Sequence, residues 1–340
     1  SEERPVNQVR NEGDFFRDMR HVHVPGIDNL NQIGPGIVAN YPKLASSAAH
    51  LFGRPKAWEE NGGGADEQGK FVADYHFARG VTALQLRNPN PAIAGYVNRL
   101  GYLLSIGRPA AQVALYFPTN SIWMGDEDAS DVTVRLTQQL LEHQIDFDYL
   151  DEQVLTTVGT LEGGGLKNLS GQVYRGILIP SSTVITRAAL DRLRAFAGQG
   201  GKIVFVGRTP TQVIERTFLK PAGGAPDLSF AVLEPKPEIT ARVVEALPKP
   251  DVLLDRPCPP ISYNHRSLLD AQVYFLFNES NQQQSRTATL TGSGQPQVWD
   301  AATGIIHSMT GATAGNGTVT IPLSLEPYEA KLVVLGPPLD

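Results

Sequence analysis

Three short strand-like runs, each followed by a helix-spaced segment, dominate the first 107 residues. That alternation restricts the chain there to parallel β/α architecture. The runs are "HVHVPG" (His21 to Gly26), "PKAWEE" (Pro55 to Glu60) and "VTALQL" (Val81 to Leu86). "YPKLASSAAHLFG" spaces Leu44, Ala48, Leu51 and Phe52 as a helix does, and "GKFVADYHFARG" gathers Phe71, Val72, Tyr75 and Ala78 on one face. Gly53 and Gly80 stop these two helices, and "AIAGYVNRLGYLLSIG" supplies a third. Three strands are under half of an eight-stranded barrel. Residues 1–107 are therefore read as a partial (β/α) barrel whose exposed strand edges need a cover. A homodimer, a missing N-terminal barrel half or a rearranged sheet would supply it.

The pattern then changes twice. Residues 108–225 carry buried strands at "AQVALYFP", "IDFDYLD", "YRGILIPS" and "KIVFVG", with amphipathic helices at "DVTVRLTQQLLEHQ" and "TRAALDRLRAFAGQGG". This predicts a doubly wound, flavodoxin-like α/β domain. Its first helix presents Val134, Leu136, Leu140 and Leu141, with Asp131 as the expected N-cap. Residues 226–258 are a Pro-rich connection. From 259 to 340 short strands and turns such as "AQVYFLFNES" and "GTVTIPLS" predict a β-sandwich. The expected fold class is α/β plus β.

Bulk properties exclude some functions. A chain of 340 residues has room for two or three domains, and a net charge of −6 offers no nucleic-acid surface. No run approaches about 18 consecutive apolar residues, so no helix is expected to span a membrane. The single cysteine, Cys258, excludes an internal disulfide but decides no compartment. The N-terminal "SEERPVNQVRNEGDFF" has no apolar leader and reads as the interior of a longer protein.

Candidate chemistry concentrates at the strand ends of the first region, where a β/α barrel places its active site. Glu59 and Glu60 end the second strand and precede a Gly-rich loop. Neighbouring strand residues face opposite ways, so one of the two at most faces the barrel axis. Trp58 offers an aromatic platform for a sugar ring. His21 and His23, two apart, should share a strand face, with Asp28 beyond the Pro-Gly turn at the strand end. His-x-His is a weak metal signal without a third ligand, and a polar strand end satisfied by backbone groups explains it equally well. The acidic "GDEDASD" lacks the Gly and distal Glu of a calcium loop. No G-x-S-x-G, Walker or dinucleotide motif is present. His50 and His76 fall on helices and read as packing or surface residues.

Taken in order, "FRDMRHVHVPGIDNLNQIGPG", "KLASSAAHLFGRPKAWEENGGG" and "KFVADYHFARGVTALQLR" resemble the second half of the catalytic barrel of glycoside hydrolase family 106, the α-L-rhamnosidases and relatives. The resemblance continues through "YVNRLGYLLSIGRPAAQVALYFP" and "LLEHQIDFDYLD" to "VWDAATGII", nearly the whole chain. It implies a carbohydrate substrate and inverting hydrolysis by two carboxylates about 6.5–9.5 Å apart. It makes Glu60, or Glu59 close behind, the general base. It makes His21, His23, Asp28 and Trp58 sugar-binding groups, with calcium near His23 or Asp28. The general acid should lie on an earlier strand, and Glu2, Glu3 and Glu12 sit in polar sequence that does not resemble one. For a longer parent protein a periplasmic or secreted setting is expected. The rival expectations are a non-catalytic carbohydrate-binding or structural fragment and, more remotely, an esterase or other hydrolase.

Overall fold

A computed structural model describes residues 4–28, 33–34, 40–60, 66–215, 221–222 and 224–338. The first region forms a three-stranded parallel sheet of β1 (Gly26–Asp28), β2 (Trp58–Glu60) and β3 (Ala83–Leu84), in that order. Among the described residues it stays open and closes no barrel. Two helices precede it, α1 (Pro5–Asn11) and α2 (Phe15–Met19), where the sequence reads as irregular. Val6, Val9, Phe15 and Phe16 are buried, so these short helices are held by packing rather than by propensity. His21 and His23 lie in the exposed turn after α2, not on a strand. The expected strand "HVHVPG" starts only at Gly26, because ladder pairing begins where the Trp58 amide donates to the Pro25 carbonyl, 2.8 Å. The Pro-Gly pair opens the strand instead of ending it.

Helix α3 (Pro42–Leu51) is buried along its whole length between this sheet and the next. Helices α4 (Glu67–Ala78) and α5 (Pro91–Leu103) follow β2 and β3. The next sheet is parallel and five-stranded: β4 (Val113–Tyr116), β5 (Phe147–Leu150), β6 (Gly176–Ile179), β7 (Lys202–Val206) and β8 (Val232–Glu234). Its spatial order is β5-β4-β6-β7-β8, which is the 2-1-3-4-5 order of doubly wound sheets. β8 comes from the Pro-rich stretch that sequence reading leaves as a connection. Helix α6 (Glu127–Glu142) is capped by Asp126, which accepts from the Ala129 amide; Asp131 sits inside the helix paired with Arg4. Val134 is exposed, and the buried stripe runs through Val132, Leu136, Leu140 and Leu141.

Residues 252–336 form two antiparallel sheets with an apolar cluster between them. The strand Gln272–Asn278 is buried on both faces: Tyr274 and Leu276 point into that cluster, while Phe275 and Phe277 pack on Phe77 and Phe71 of α4. Arg79, just past α4, is buried and grips Glu279 through two N–H groups at 2.9 and 3.3 Å.

The joint between the first two sheets is polar. Lys43, Ser47 and His50 are four and three residues apart and share one face of α3. Lys43 Nζ donates to Asp146 at 2.8 Å, and His50 Nδ1 lies 2.9 Å from Asp148 Oδ1. The other Asp148 oxygen accepts from Gln172 Nε2 at 2.8 Å and the Tyr174 hydroxyl at 2.9 Å. Burial alone would raise the Asp148 pKa, but His50, Lys43 and Gln172 outweigh it and hold the carboxyl well below the usual range. The stability this ionised group contributes is present above the ordinary carboxylate pKa and is lost as pH falls through its depressed folded value. Asp148→Ala strands the buried donors of His50, Ser47, Gln172 and Tyr174 and is expected to cost about 3–5 kcal/mol. Urea unfolding measures it; a loss under about 1 kcal/mol would mean that the network does not hold the two sheets together.

Candidate active-site face

In a parallel ladder, register partners point to the same side. Ile27 pairs with Glu59, and Glu59 with Leu84; Gly26 pairs with Trp58, Trp58 with Ala83, and Asp28 with Glu60. The sheet thus has one face carrying Ile27, Glu59 and Leu84 toward the helices. The opposite face carries Gly26, Asp28, Trp58, Glu60 and Ala83. Along β2 the exposure alternates accordingly, with Trp58 and Glu60 exposed and Glu59 at 0%.

Glu59 is turned by its strand into the core, against His76 of α4. His76 Nε2 lies 3.2 Å from Glu59 Oε2, with both side chains fully buried. His76 Nδ1 is 2.7 Å from the Val72 carbonyl, which can only accept, so that nitrogen carries a proton. Nε2 is left for Glu59. Burial pushes the Glu59 pKa up; the hydrogen bond and charge of His76 oppose this, and the charges of Asp28 and Glu60 add to it. Among the described residues neither Glu59 oxygen nor His76 Nε2 has a partner of full hydrogen-bond geometry, so this contact is the polar neighbour each has in the core.

Glu60 faces the other way, beside Asp28 and Trp58. The Trp58 indole lies across Gly26, where an added Cβ would sit 2.6 Å from Trp58 Cε3. Glycine at 26 is what lets the ring settle against β1. His21 and His23 are exposed in the turn that leads to β1 and are not members of this strand face. Glu12 is exposed just past α1, and Glu2 and Glu3 lie outside the described residues, as do positions 61–65 of the Gly-rich loop. The described residues hold no group of three His, Cys, Asp or Glu side chains able to bind a metal ion. The calcium implied by the resemblance finds no such ligand set among them. The sequence places His76 on a helix as a packing or surface residue; the structure buries it fully, and its spacing from Glu59 carries no signal because only the fold joins them.

Comparisons with known proteins agree with the resemblance. Residues 75–217 match the model of glycoside hydrolase family 106, described as alpha-L-rhamnosidase. No curated protein matches by sequence. Among solved structures, a rhamnosidase from Novosphingobium sp. PP1Y superposes with a TM-score of 0.70 at 20% identity, over 95% of this chain and 36% of that one. A beta-galactosidase from Bacillus circulans sp. alkalophilus follows at TM-score 0.59 and 11% identity, covering 95% and 62%. Alpha-L-fucosidase isoenzyme 2 from Paenibacillus thiaminolyticus gives 0.57 and 14%, covering 93% and 67%. The chain thus spans about a third of the rhamnosidase it matches. It resembles family 106, as its sequence motifs imply, and shares a mixed α/β and β fold with glycoside hydrolases.

The Glu59–His76 contact makes a pH-dependent prediction. A carboxyl with a raised folded pKa loses stability as pH climbs from its ordinary value through the folded one. Glu59→Gln does not titrate, so as pH rises above the ordinary carboxylate value its melting temperature should change less with pH than that of the parent chain. Thermal melts from the ordinary carboxylate value upward check it; parallel pH profiles would mean that burial does not raise the Glu59 pKa in the folded chain.

Proposed function

We propose that this chain carries the general-base wall of an α-L-rhamnosidase-like glycoside hydrolase, with Glu60 as the base that activates water in an inverting reaction. The observation that supports this reading most is the orientation of β2: of the two adjacent glutamates, Glu60 alone stands on the open face, beside an aromatic plane and a second carboxylate. Trp58 would take the apolar side of the sugar ring. Asp28 would bind sugar hydroxyls. It is the register partner of Glu60 on the neighbouring strand, so both carboxylates approach from one wall, whereas an inverting acid and base flank the scissile bond. Asp28 is therefore assigned to binding, and the general acid to a carboxyl outside these three strands.

In this mechanism Glu60 removes a proton from water as its oxygen bonds to the anomeric carbon. The bond to the leaving oxygen breaks as the general acid protonates it, and the configuration inverts. A base of this kind contributes about 10²–10⁴-fold. Hydrolysis of a chromogenic α-L-rhamnoside, with proton NMR of the first-formed anomer, tests the proposal. Glu60→Gln should remove hydrolysis by that factor, and Glu59→Gln should retain most of it. Loss in Glu59→Gln with an unaffected Glu60→Gln would reverse the assignment. Rhamnoside binding without turnover by the intact chain would favour a carbohydrate-binding role for it, and a retained anomer would exclude inversion.

A further inference from the structure

A second cleft lies at the N-terminal edge of the five-stranded sheet, on elements that share nothing with the Glu60 face. It has a volume of about 360 Å³ and opens between Gln112 before β4, Arg175 before β6, and the strands around His265 and Gln272. That volume falls within the range of small-molecule sites.

Its floor is built from buried polar groups. Asp251, 6% exposed, accepts from His265 Nδ1 at 2.9 Å through one oxygen and from Gln112 Nε2 at 3.0 Å through the other. His265 is itself buried, its ring stacked on Tyr274 with centroids 4.0 Å apart and its Nε2 2.9 Å from Gln272 Oε1. The floor carboxylate is thus occupied by its own donors and does not confront a ligand with unpaired negative charge.

The rim has the opposite character. Arg108 and Arg175 are exposed and line the same cleft. Among the described residues neither has a carboxylate within 4.0 Å, which sets them apart from Arg79, Arg187 and Arg208, each paired with an acid. Arg175 donates from Nη1 to the Gly163 carbonyl at 3.2 Å, which anchors the side chain and leaves its other N–H groups available. Among the described residues no side-chain hydrogen bond engages Arg108. Their backbones are held by ladder and turn: Arg108 pairs with Ser267, and the Arg175 amide donates to the Gln112 carbonyl at 2.8 Å. Two guanidinium groups on fixed backbone, above a satisfied polar floor, make a receptor for a planar anion.

We infer that this cleft binds a pyranose bearing a carboxylate, a uronic acid unit, with Arg108 and Arg175 on the carboxylate and the Gln112 and Gln272 amides within reach of ring hydroxyls. The carboxylate part follows from the two arginines. The saccharide part rests on the glycosidase reading, and the binding test below needs no hydrolysis, so the two fail separately. The site would hold an acidic unit of a longer glycan away from the Glu60 face.

Isothermal titration of the whole chain with D-glucuronate, D-glucose and acetate tests it. Glucuronate should bind, and glucose and acetate should bind at least about tenfold more weakly. Arg108→Ala and Arg175→Ala should each weaken glucuronate about tenfold or more, as expected for a lost charged hydrogen bond. Both residues are exposed, so melting temperatures should stay unchanged, and Arg87→Ala, remote from the cleft, should bind as the parent does. Acetate binding as tightly as glucuronate would overturn the saccharide site, leaving simple anion attraction. Equal affinity for glucose and glucuronate, no glucuronate binding, or insensitivity to both arginine substitutions would overturn the proposal as a whole.

Discussion

The contact between Glu59 and His76 decides how the second strand is turned, and the candidate site depends on that turn. A strand offers its side chains alternately to two faces, so placing Glu59 in the core places Trp58 and Glu60 on the open side without further choice. A slip of one residue would bury Glu60 and Trp58 and expose Glu59. The slip is resisted by Ile27 and Leu84, which flank Glu59 on the buried face. Glycine at 26 resists it as well, because its open space is matched to the indole of Trp58.

The helices that hold this sheet are themselves tied to the rest of the molecule. Helix α4 packs Phe71 and Phe77 on the C-terminal strand Gln272–Asn278, and Arg79 at its end locks onto Glu279. Helix α3 hands its polar face to Asp146 and Asp148 of the five-stranded sheet. The small open sheet, too short to be stable alone, thus borrows its rigidity from both following sheets. That arrangement accounts for a three-stranded wall keeping a defined register, which a catalytic carboxylate needs. It also explains why Lys43 and Asp148, charges that a sequence would assign to surfaces, lie in the interior.

Much of this was legible in the amino-acid order. The strands Val113–Tyr116, Gly176–Ile179 and Lys202–Val206 are continuous apolar runs, because helices cover both faces of their sheet. The alternation in the strand Thr318–Leu325 reports one buried and one open face. The motif series from "SSAAH" to "PKAWEE" belongs to the family resemblance, and the family-model match covers the later residues 75–217. Strand alternation also required that Glu59 and Glu60 face opposite ways. The fifth parallel strand, Val232–Glu234, is not legible in the sequence, because three residues among prolines carry no period. The first strand begins later than its sequence suggests, because Val22 and Val24 read as β-formers although both end up exposed.

The sequence by itself thus determined the kinds of elements, their order, and the pair of carboxylates of which one had to face out. Only the tertiary structure decided which one. The reason is physical: period two makes neighbouring side chains opposite but does not say which side is wet. That sign came from α4 delivering His76 to within hydrogen-bonding distance of Glu59, seventeen residues away in the chain (76 − 59) and in contact only through packing. The same holds for the arginine-rimmed cleft. Arg108, Arg175 and His265 belong to three separate stretches, and no spacing in the sequence announces that folding sets them around one cavity.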